Sequence, residues 1–386
     1  MNPRIKVVTI VGTRPEIIRL SRVLPMLDAT CHHILVHTGQ NYDFELNEIF
    51  FQDLSLRKPD VVLEVAGKTA METIAKVLVE VEKVLMKEKP DAVLVLGDTN
   101  SCLSILAAKR LKIPTFHMEA GNRCFDDRVP EEINRRIVDH TSDVNLPYSD
   151  IARDYLISEG IPADRIVKTG SPMAEVLDFY KEKIEASQIL DRQELEQGKY
   201  FLVSCHREEN IEDPENLNRL MEILDFLASK RIGPVLVSTH PRLRKNLGHL
   251  VNTSDKEIKF LKPLGFTDYV KLQINAATVL SDSGTISEES SILDFPAINI
   301  RETHERPESM EEGNVIFTGL DLQRIQQGLR VIEELKDSKG RKSRIPQDYQ
   351  QKLVSYQVMQ VILSYTNYVN SRVWRLPWGQ SVGKTE

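Results

Sequence analysis

The chain has 386 residues, 41% hydrophobic and 28% charged, the balance of a globular protein long enough for two ordinary domains. A net charge of -7 and a sequence pI of about 5.8 argue against a general nucleic-acid or anionic-membrane binder, which needs a basic field. The four cysteines (Cys31, Cys102, Cys124, Cys205) form no CxxC pair and lack zinc-site spacing, which fits a reduced, cytoplasmic setting with no metal site.

The N-terminal apolar run is too short for a signal peptide, and no stretch approaches the roughly 20 apolar residues of a membrane span. Lys6 to Val11 is a β-branched run ending at Gly12 and reads as a first buried strand. Pro15 opens a helix, where its missing N–H costs little. Ile34 to His37 is a second strand. Residues 70 to 88 place Ile74, Val77, Leu78, Val81, Val84 and Leu85 at helical spacing. Ala92 to Leu96 is a third strand and Ser101 to Lys109 a small-residue helix. Pro114 to Met118 is a fourth strand, with Asp143 to Leu146 and Arg165 to Lys168 as fifth and sixth. The polar stretch 183 to 199 reads as weakly ordered and marks a crossover near 172 to 198.

The pattern then restarts with strands at Tyr200 to Ser204, Val235 to Ser238, Ile258 to Leu261, Thr278 to Leu280, Ala297 to Ile300 and Val315 to Phe317. Two runs of strand–helix alternation predict an α/β protein of two Rossmann-like, doubly wound parallel-sheet domains. The expected domains are 1–172 with a returning 366–386 tail, and 173–365. A helix is expected over 349 to 369. Trp374 and Trp378 follow it, and two tryptophans predict a tail that packs back on the first domain.

Nearly every polar cluster follows a strand. Gly12 to Glu16, Gly97 to Asn100 and Glu119 to Gly121 lie in the first half. His206 to Asn210, Thr239 to Arg242, Ser281 to Gly284 and Glu302 to Glu308 lie in the second. Carboxyl ends of parallel strands share one sheet edge, where such folds bind ligands, and two such edges predict an interdomain cleft. Ser283-Gly284-Thr285 at a helix start is either an anion site or a plain helix cap. Glu288 and Glu289 in its first turns either offset the dipole or reach a bound ribose. Arg14 is either a phosphate ligand or a surface ion pair. Glu131, Glu132, Arg135, Arg136 and Asp139 have i,i+4 spacing, which by itself describes a solvated helix face. His117 and His140 read as packing histidines. No Walker A loop, GxGxxG after the first strand or HExxH is present.

In this order the strings GTRPE (12–16), GDTNS (97–101), HMEAGNR (117–123), PEEINRR (130–136), HREEN (206–210), THPR (239–242), SDSGTISEES (281–290) and ERPE (305–308) resemble the non-hydrolysing UDP-N-acetylglucosamine 2-epimerases. The likeness runs over essentially the whole chain. Longer strings, HTGQNYDFELNEIFF and FHMEAGNRCFDDRVPEEINRRIVDHTSDVNLPYS among them, resemble the capsule and O-antigen branch that makes UDP-N-acetyl-L-fucosamine from UDP-2-acetamido-2,6-dideoxy-L-talose.

The resemblance implies the GT-B architecture, no cofactor, a UDP-sugar substrate and a homodimer. It implies elimination of UDP across C1–C2 to a 2-acetamidoglycal, then re-addition with the C2 proton on the other face. It casts Asp98, Glu119 and Glu131 as acid/base carboxylates and His206 as the group that holds or protonates the diphosphate. Arg14, Ser283, Gly284 and Thr285 would bind phosphates, Glu289 the ribose, and Arg135 the sugar; Arg19 and Arg306 complete the substrate-binding set. It also puts Glu131 and Arg135 in the sugar site, leaving the exposed helix face to Glu132 and Arg136. Three positions depart from the common pattern: Arg19 replaces a lysine, Gln40-Asn41 replaces a Gln-His pair, and Ser283-Gly284-Thr285 replaces Ser-Gly-Gly. A glycosyltransferase of the same architecture and a non-catalytic UDP-sugar sensor are the competing classes. UDP-N-acetylglucosamine is the competing substrate.

Overall fold

A computed structural model of the chain describes residues 4–40, 44–205, 210, 213–239, 257–303, 305–311, 315–337 and 345–381. The chain divides into two compact units. Unit 1 comprises Met1–Asp178 with Asp348–Glu386, and unit 2 comprises Phe179–Gln347.

In unit 1, β1 (Lys6–Val11), β2 (His32–His37), β3 (Val61–Val62), β4 (Ala92–Leu96), β5 (Thr115–Met118) and β6 (Val144–Leu146) form one parallel sheet in the order β3-β2-β1-β4-β5-β6. In unit 2, β7 (Phe201–Cys205), β8 (Val235–Thr239), β9 (Ile258–Leu261), β10 (Thr278–Ser281), β11 (Ala297–Asn299) and β12 (Ile316–Phe317) repeat that topology as β9-β8-β7-β10-β11-β12. The central strands are apolar throughout because both faces are covered: β4 and β7 are buried at every position. The order reverses between β1 and β4, and again between β7 and β10. Those reversals open the crevices in which doubly wound sheets bind ligands.

Helix Ala70–Glu88 forms where its period predicts. Thr69 caps it by accepting from Glu72 N–H, and Lys89 ends it in a left-handed conformation. It buries Val77, Val81 and Leu85 in the core that also holds Val8, Val36 and Val93, each burial being worth about 1.5–3 kcal/mol. In unit 2 the two sheet faces carry separate cores, one around Leu220, Leu224 and Ile298, the other around Leu202, Leu236 and Phe295.

Several expectations are corrected. Residues 165–168 form no strand: a 3₁₀ turn, Ala163–Arg165, precedes a single bridge between Asn145 and Ile166. The 101–109 helix is a 3₁₀ segment, Asn100–Ser104, followed by helix Ile105–Arg110. The 183–199 stretch contains short helices Lys181–Glu185 and Ile189–Arg192, anchored by buried Ile184 and Ile189. The final helix is Val354–Arg372, not 349–369. It packs on helix Val23–Thr30, and Glu175 accepts from the Ser355 N–H at 2.9 Å, so the whole of it belongs to unit 1. The division therefore falls at 178/179 and 347/348, against the expected 172/173 and 365/366. Of the two tail tryptophans, Trp374 packs under Lys109, whose Nζ lies 5.1 Å from the ring centroid. Trp378 is 69% exposed.

Candidate active site

In unit 1 the polar clusters after β1, β4 and β5 are drawn together by buried carboxylates. Thr13 and Glu16 form a capping box at the start of helix Arg14–Leu20. Glu16 does more than cap. Its Oε2 accepts from the N–H groups of Gly12 and Thr13, both at 2.6 Å. Its Oε1 accepts from Thr99 Oγ1 at 2.8 Å and Ser101 Oγ at 2.6 Å. One side chain thus pins the loop after β1 to the loop after β4. Burial pushes its carboxyl above the usual range, only partly offset by the bonds from Ser101, Gly12, Thr99 and Thr13.

Asp98 follows β4. Its Oδ2 accepts from Arg135 at both Nε (3.1 Å) and Nη2 (2.6 Å), and its main-chain carbonyl accepts from Asn134 Nδ2 at 3.0 Å. Arg135 is buried, and its Nη1 donates to Glu132 at 2.9 Å. Glu119 directly follows β5 with φ +64°, a left-handed backbone that costs a non-glycine residue on the order of 1–3 kcal/mol. That turn carries its carboxylate over Gly97, where an added Cβ would lie 3.8 Å from Oε2. Glu119 pairs with Arg19 from helix Arg14–Leu20, and both are buried. Glu131 is half-buried in the first turn of helix Pro130–Thr141. Arg14 is half-buried, its guanidinium carbon 5.6 Å from the centre of the Phe50 ring.

A second network lies behind this edge. The His117 ring links Asp139 Oδ1 (2.9 Å) to the Gly97 carbonyl (2.7 Å). Asp139 also accepts from Gly121 N–H at 3.1 Å and Arg123 Nη1 at 2.7 Å. Burial drives the Asp139 carboxyl up, but the His117 bond and the His117 and Arg123 charges outweigh it, and the net shift is downward. Arg123 is wholly enclosed and forks onto Glu159 at 2.7 and 2.5 Å, so it braces the loop from within.

Two readings of this region change. Glu132 is fully buried, not on a solvated face; it accepts from the N–H groups of Cys124 (3.0 Å) and Phe125 (3.3 Å) as well as from Arg136 Nη2 (2.9 Å). Arg136, at 41% side-chain exposure, keeps the surface role. His140 is half-exposed beside Glu159, not a packing residue. Burial holds the Cys102 thiol well above its ordinary value and the Cys124 thiol at about 11, so neither supplies a thiolate at neutral pH.

In unit 2, Ser283 Oγ accepts from Thr285 N–H at 3.3 Å and meets Thr285 Oγ1 at 2.9 Å, in the turn just before helix Ile286–Leu293. Arg306 is buried and its Nε donates to the Gly284 carbonyl at 2.9 Å. Its Nη2 lies 3.4 Å from Glu288, which is buried in an ion pair and does not face solvent as a dipole-offsetting residue would. Glu289 is buried and accepts from Gln273 Nε2 at 2.6 Å. Asn210 Nδ2 reaches Asp282 at 3.1 Å. His206, with residues 207–209 and 240–242 of the other strand-end clusters, lies outside the described residues. Among the described residues no cluster of three His, Cys, Asp or Glu side chains could hold a metal.

Sequence reasoning missed Glu16, Glu132, Asp139 and Gln273 as parts of these assemblies. Only Glu16 had a local signal, the Thr-x-x-Glu capping box. The others become visible once loops fold back over helices.

Residues 26–363 match the family described as UDP-N-acetylglucosamine 2-epimerase. The solved UDP-N-acetylglucosamine 2-epimerase of Rickettsia bellii superposes with a TM-score of 0.91 at 51% identity, covering 97% of this chain and 100% of that one. The Methanocaldococcus jannaschii UDP-GlcNAc 2-epimerase, solved with UDP-GlcNAc and UDP, gives a TM-score of 0.86 at 34% identity over 94% of this chain and 100% of its own. A Pseudomonas aeruginosa UDP-2,3-diacetamido-2,3-dideoxy-D-glucuronate 2-epimerase is 35% identical over 81% of this chain and 88% of its own. Two six-stranded parallel sheets of GT-B type and these likenesses lead to one assignment: the chain belongs to the UDP-N-acetylglucosamine 2-epimerase family and is a UDP-sugar 2-epimerase, an isomerase.

Proposed function

We propose that the protein converts UDP-2-acetamido-2,6-dideoxy-L-talose to UDP-N-acetyl-L-fucosamine, in the biosynthesis of a capsule or O-antigen polysaccharide. A carboxylate takes the C2 proton, the C1–O bond to UDP breaks, and C1=C2 forms. The proton then returns to C2 on the opposite face as the diphosphate oxygen re-bonds to C1. Asp98, Glu119 and Glu131 are the acid/base group, and His206 serves the leaving diphosphate. Arg14, Ser283, Gly284, Thr285 and Arg306 bind the diphosphate. Glu289 binds the ribose, and Arg19 and Arg135 act beside the sugar. The enzyme acts as a cytoplasmic homodimer.

One observation carries this reading: two carboxylates on adjacent strand ends, Asp98 and Glu119, are each held by a buried arginine, Arg135 and Arg19. The 6-deoxy-L-sugar rests on the long strings that resemble the fucosamine branch. The names of the Rickettsia bellii and Methanocaldococcus jannaschii relatives favour UDP-N-acetylglucosamine as the second reading.

Incubation of the protein with each UDP-sugar in deuterated water separates the readings. Faster deuterium entry at C2 of the L-talose derivative is expected. Preference for UDP-N-acetylglucosamine moves the assignment to that sugar, and an unlabelled C2 with both excludes both.

A further inference from the structure

Glu132 is wholly buried in the first turn of helix Pro130–Thr141. Its carboxylate is where two structures meet. On one side it accepts from the N–H groups of Cys124 and Phe125, at 3.0 and 3.3 Å, and so anchors the loop that follows β5. On the other it accepts from Arg135 Nη1 and Arg136 Nη2, both at 2.9 Å. A guanidinium is planar and rigid, so fixing Nη1 fixes the direction of the opposite edge. That opposite edge, Nε and Nη2, lies on Asp98 Oδ2 at 3.1 and 2.6 Å. The neighbouring Asn134 holds the main-chain carbonyl of Asp98 at 3.0 Å. Consecutive residues of one helix therefore grip both the side chain and the backbone of Asp98.

Surface pairing does not explain this arrangement. An exposed i,i+4 pair is worth a few tenths of a kcal/mol and leaves both partners mobile. A carboxylate removed from water is tolerated only when its lone pairs are filled, and here four donors from two elements fill them.

We propose that Glu132 is a positioning residue for the epimerisation, acting on Asp98 through Arg135. It touches no reacting atom. It keeps the Arg135 fork square to Asp98, so that the Asp98 carboxylate keeps one orientation at the end of β4. The same carboxylate ties that orientation to the loop at 124–125. The proposal rests on the reading of Asp98 as an acid/base carboxylate.

The test is a double-mutant cycle read as deuterium entry at C2, which accumulates slow turnover over hours. The substrate is UDP-N-acetylglucosamine or the 6-deoxy-L-talose derivative, whichever the unmodified enzyme labels. Glu132→Gln keeps the side-chain shape and an acceptor for Cys124 N–H but drops the charge that holds Arg135. It is expected to lower kcat on the order of 100-fold, with KM and UDP affinity within about twofold of wild type. In an Asp98→Asn background the same change is expected to add no further loss.

Wild-type kcat in Glu132→Gln, or an undiminished second loss in the Asp98→Asn background, overturns the proposal. Unimpaired turnover in Asp98→Asn alone overturns the reading of Asp98 instead. Should Glu132→Gln fail to fold, Arg135→Lys examines the same link, because it leaves the Glu132 bonds to 124–125 in place. It must lose turnover at unchanged UDP affinity, and wild-type turnover there also overturns the proposal.

Discussion

Arg19 and Glu119 form an ion pair in which each side chain is less than a tenth exposed, joining helix Arg14–Leu20 to the end of β5. The guanidinium is a planar fork, so it fixes the direction in which Glu119 is held, which the point charge of a lysine would not. Arg19→Lys is expected to fold normally and to lower kcat more than it raises KM, because the charge survives but the direction does not. Arg19→Ala leaves a buried carboxylate without this partner and is expected to cost about 3–5 kcal/mol of stability. Equilibrium unfolding and steady-state kinetics of both variants check this, and equal kinetics for wild type and Arg19→Lys would refute it.

Asp139 gives a pH prediction. Its folded-state carboxyl is shifted downward: burial opposes ionisation, but His117 and Arg123 outweigh it. A carboxyl lowered on folding adds stability that is present above its unfolded value, about 3.9, and is lost as pH falls through the folded value. Asp139→Asn is therefore expected to destabilise the protein near neutrality by about 3–5 kcal/mol. The gap from wild type should narrow as pH falls below the ordinary carboxylate range. Thermal midpoints of both proteins from pH 7 down to pH 3 decide the matter, and a gap independent of pH counts against it.

Gly121 follows Glu119 by two residues and has φ +83°. A Cβ there would lie 2.3 Å from the Ala152 carbonyl oxygen, a backbone atom that has no room to yield. Gly121→Ala is expected to cost more than the roughly 1 kcal/mol of a left-handed alanine, because helix Asp150–Ser158 must move as well. Its Gly121 N–H bond to Asp139 would lengthen with that movement. A thermal midpoint within 2 °C of wild type would contradict the expectation.

The parts that local rules govern were legible in the sequence. Helix Ala70–Glu88 has both its period and its Thr69 cap in the string itself, and the double strand–helix alternation foretold two doubly wound sheets. Strand ends carried the polar clusters because parallel sheets expose their carboxyl edges to ligands. What escaped was tertiary. Val61–Val62 is too short to announce a strand. Residues 165–168 have strand composition but make only the Asn145–Ile166 bridge. Glu132 obeys the i,i+4 rule with Arg136, yet the loop at 124–125 folds over it and turns a surface pair into a buried junction. No spacing rule contains that fold-back.

Glu289 in unit 2 gives the last prediction. Its carboxylate is buried one turn into helix Ile286–Leu293, and Gln273 Nε2 steers it at 2.6 Å. If this carboxylate holds the ribose hydroxyls, then its charge is felt only by ligands that have them. A hydrogen bond to a charged group is worth about 1.5–3 kcal/mol, which is roughly 10- to 100-fold in affinity. Glu289→Gln is expected to weaken UDP by that factor and to leave 2′,3′-dideoxy-UDP almost unchanged, so the preference for the hydroxylated ribose disappears. Gln273→Leu removes the steering bond and should reproduce part of the loss with the same selectivity. Calorimetric titration of both nucleotides into the three proteins measures it. Equal weakening of UDP and its dideoxy analogue would make Glu289 a structural acid that supports the Ser283–Thr285 turn without touching the sugar.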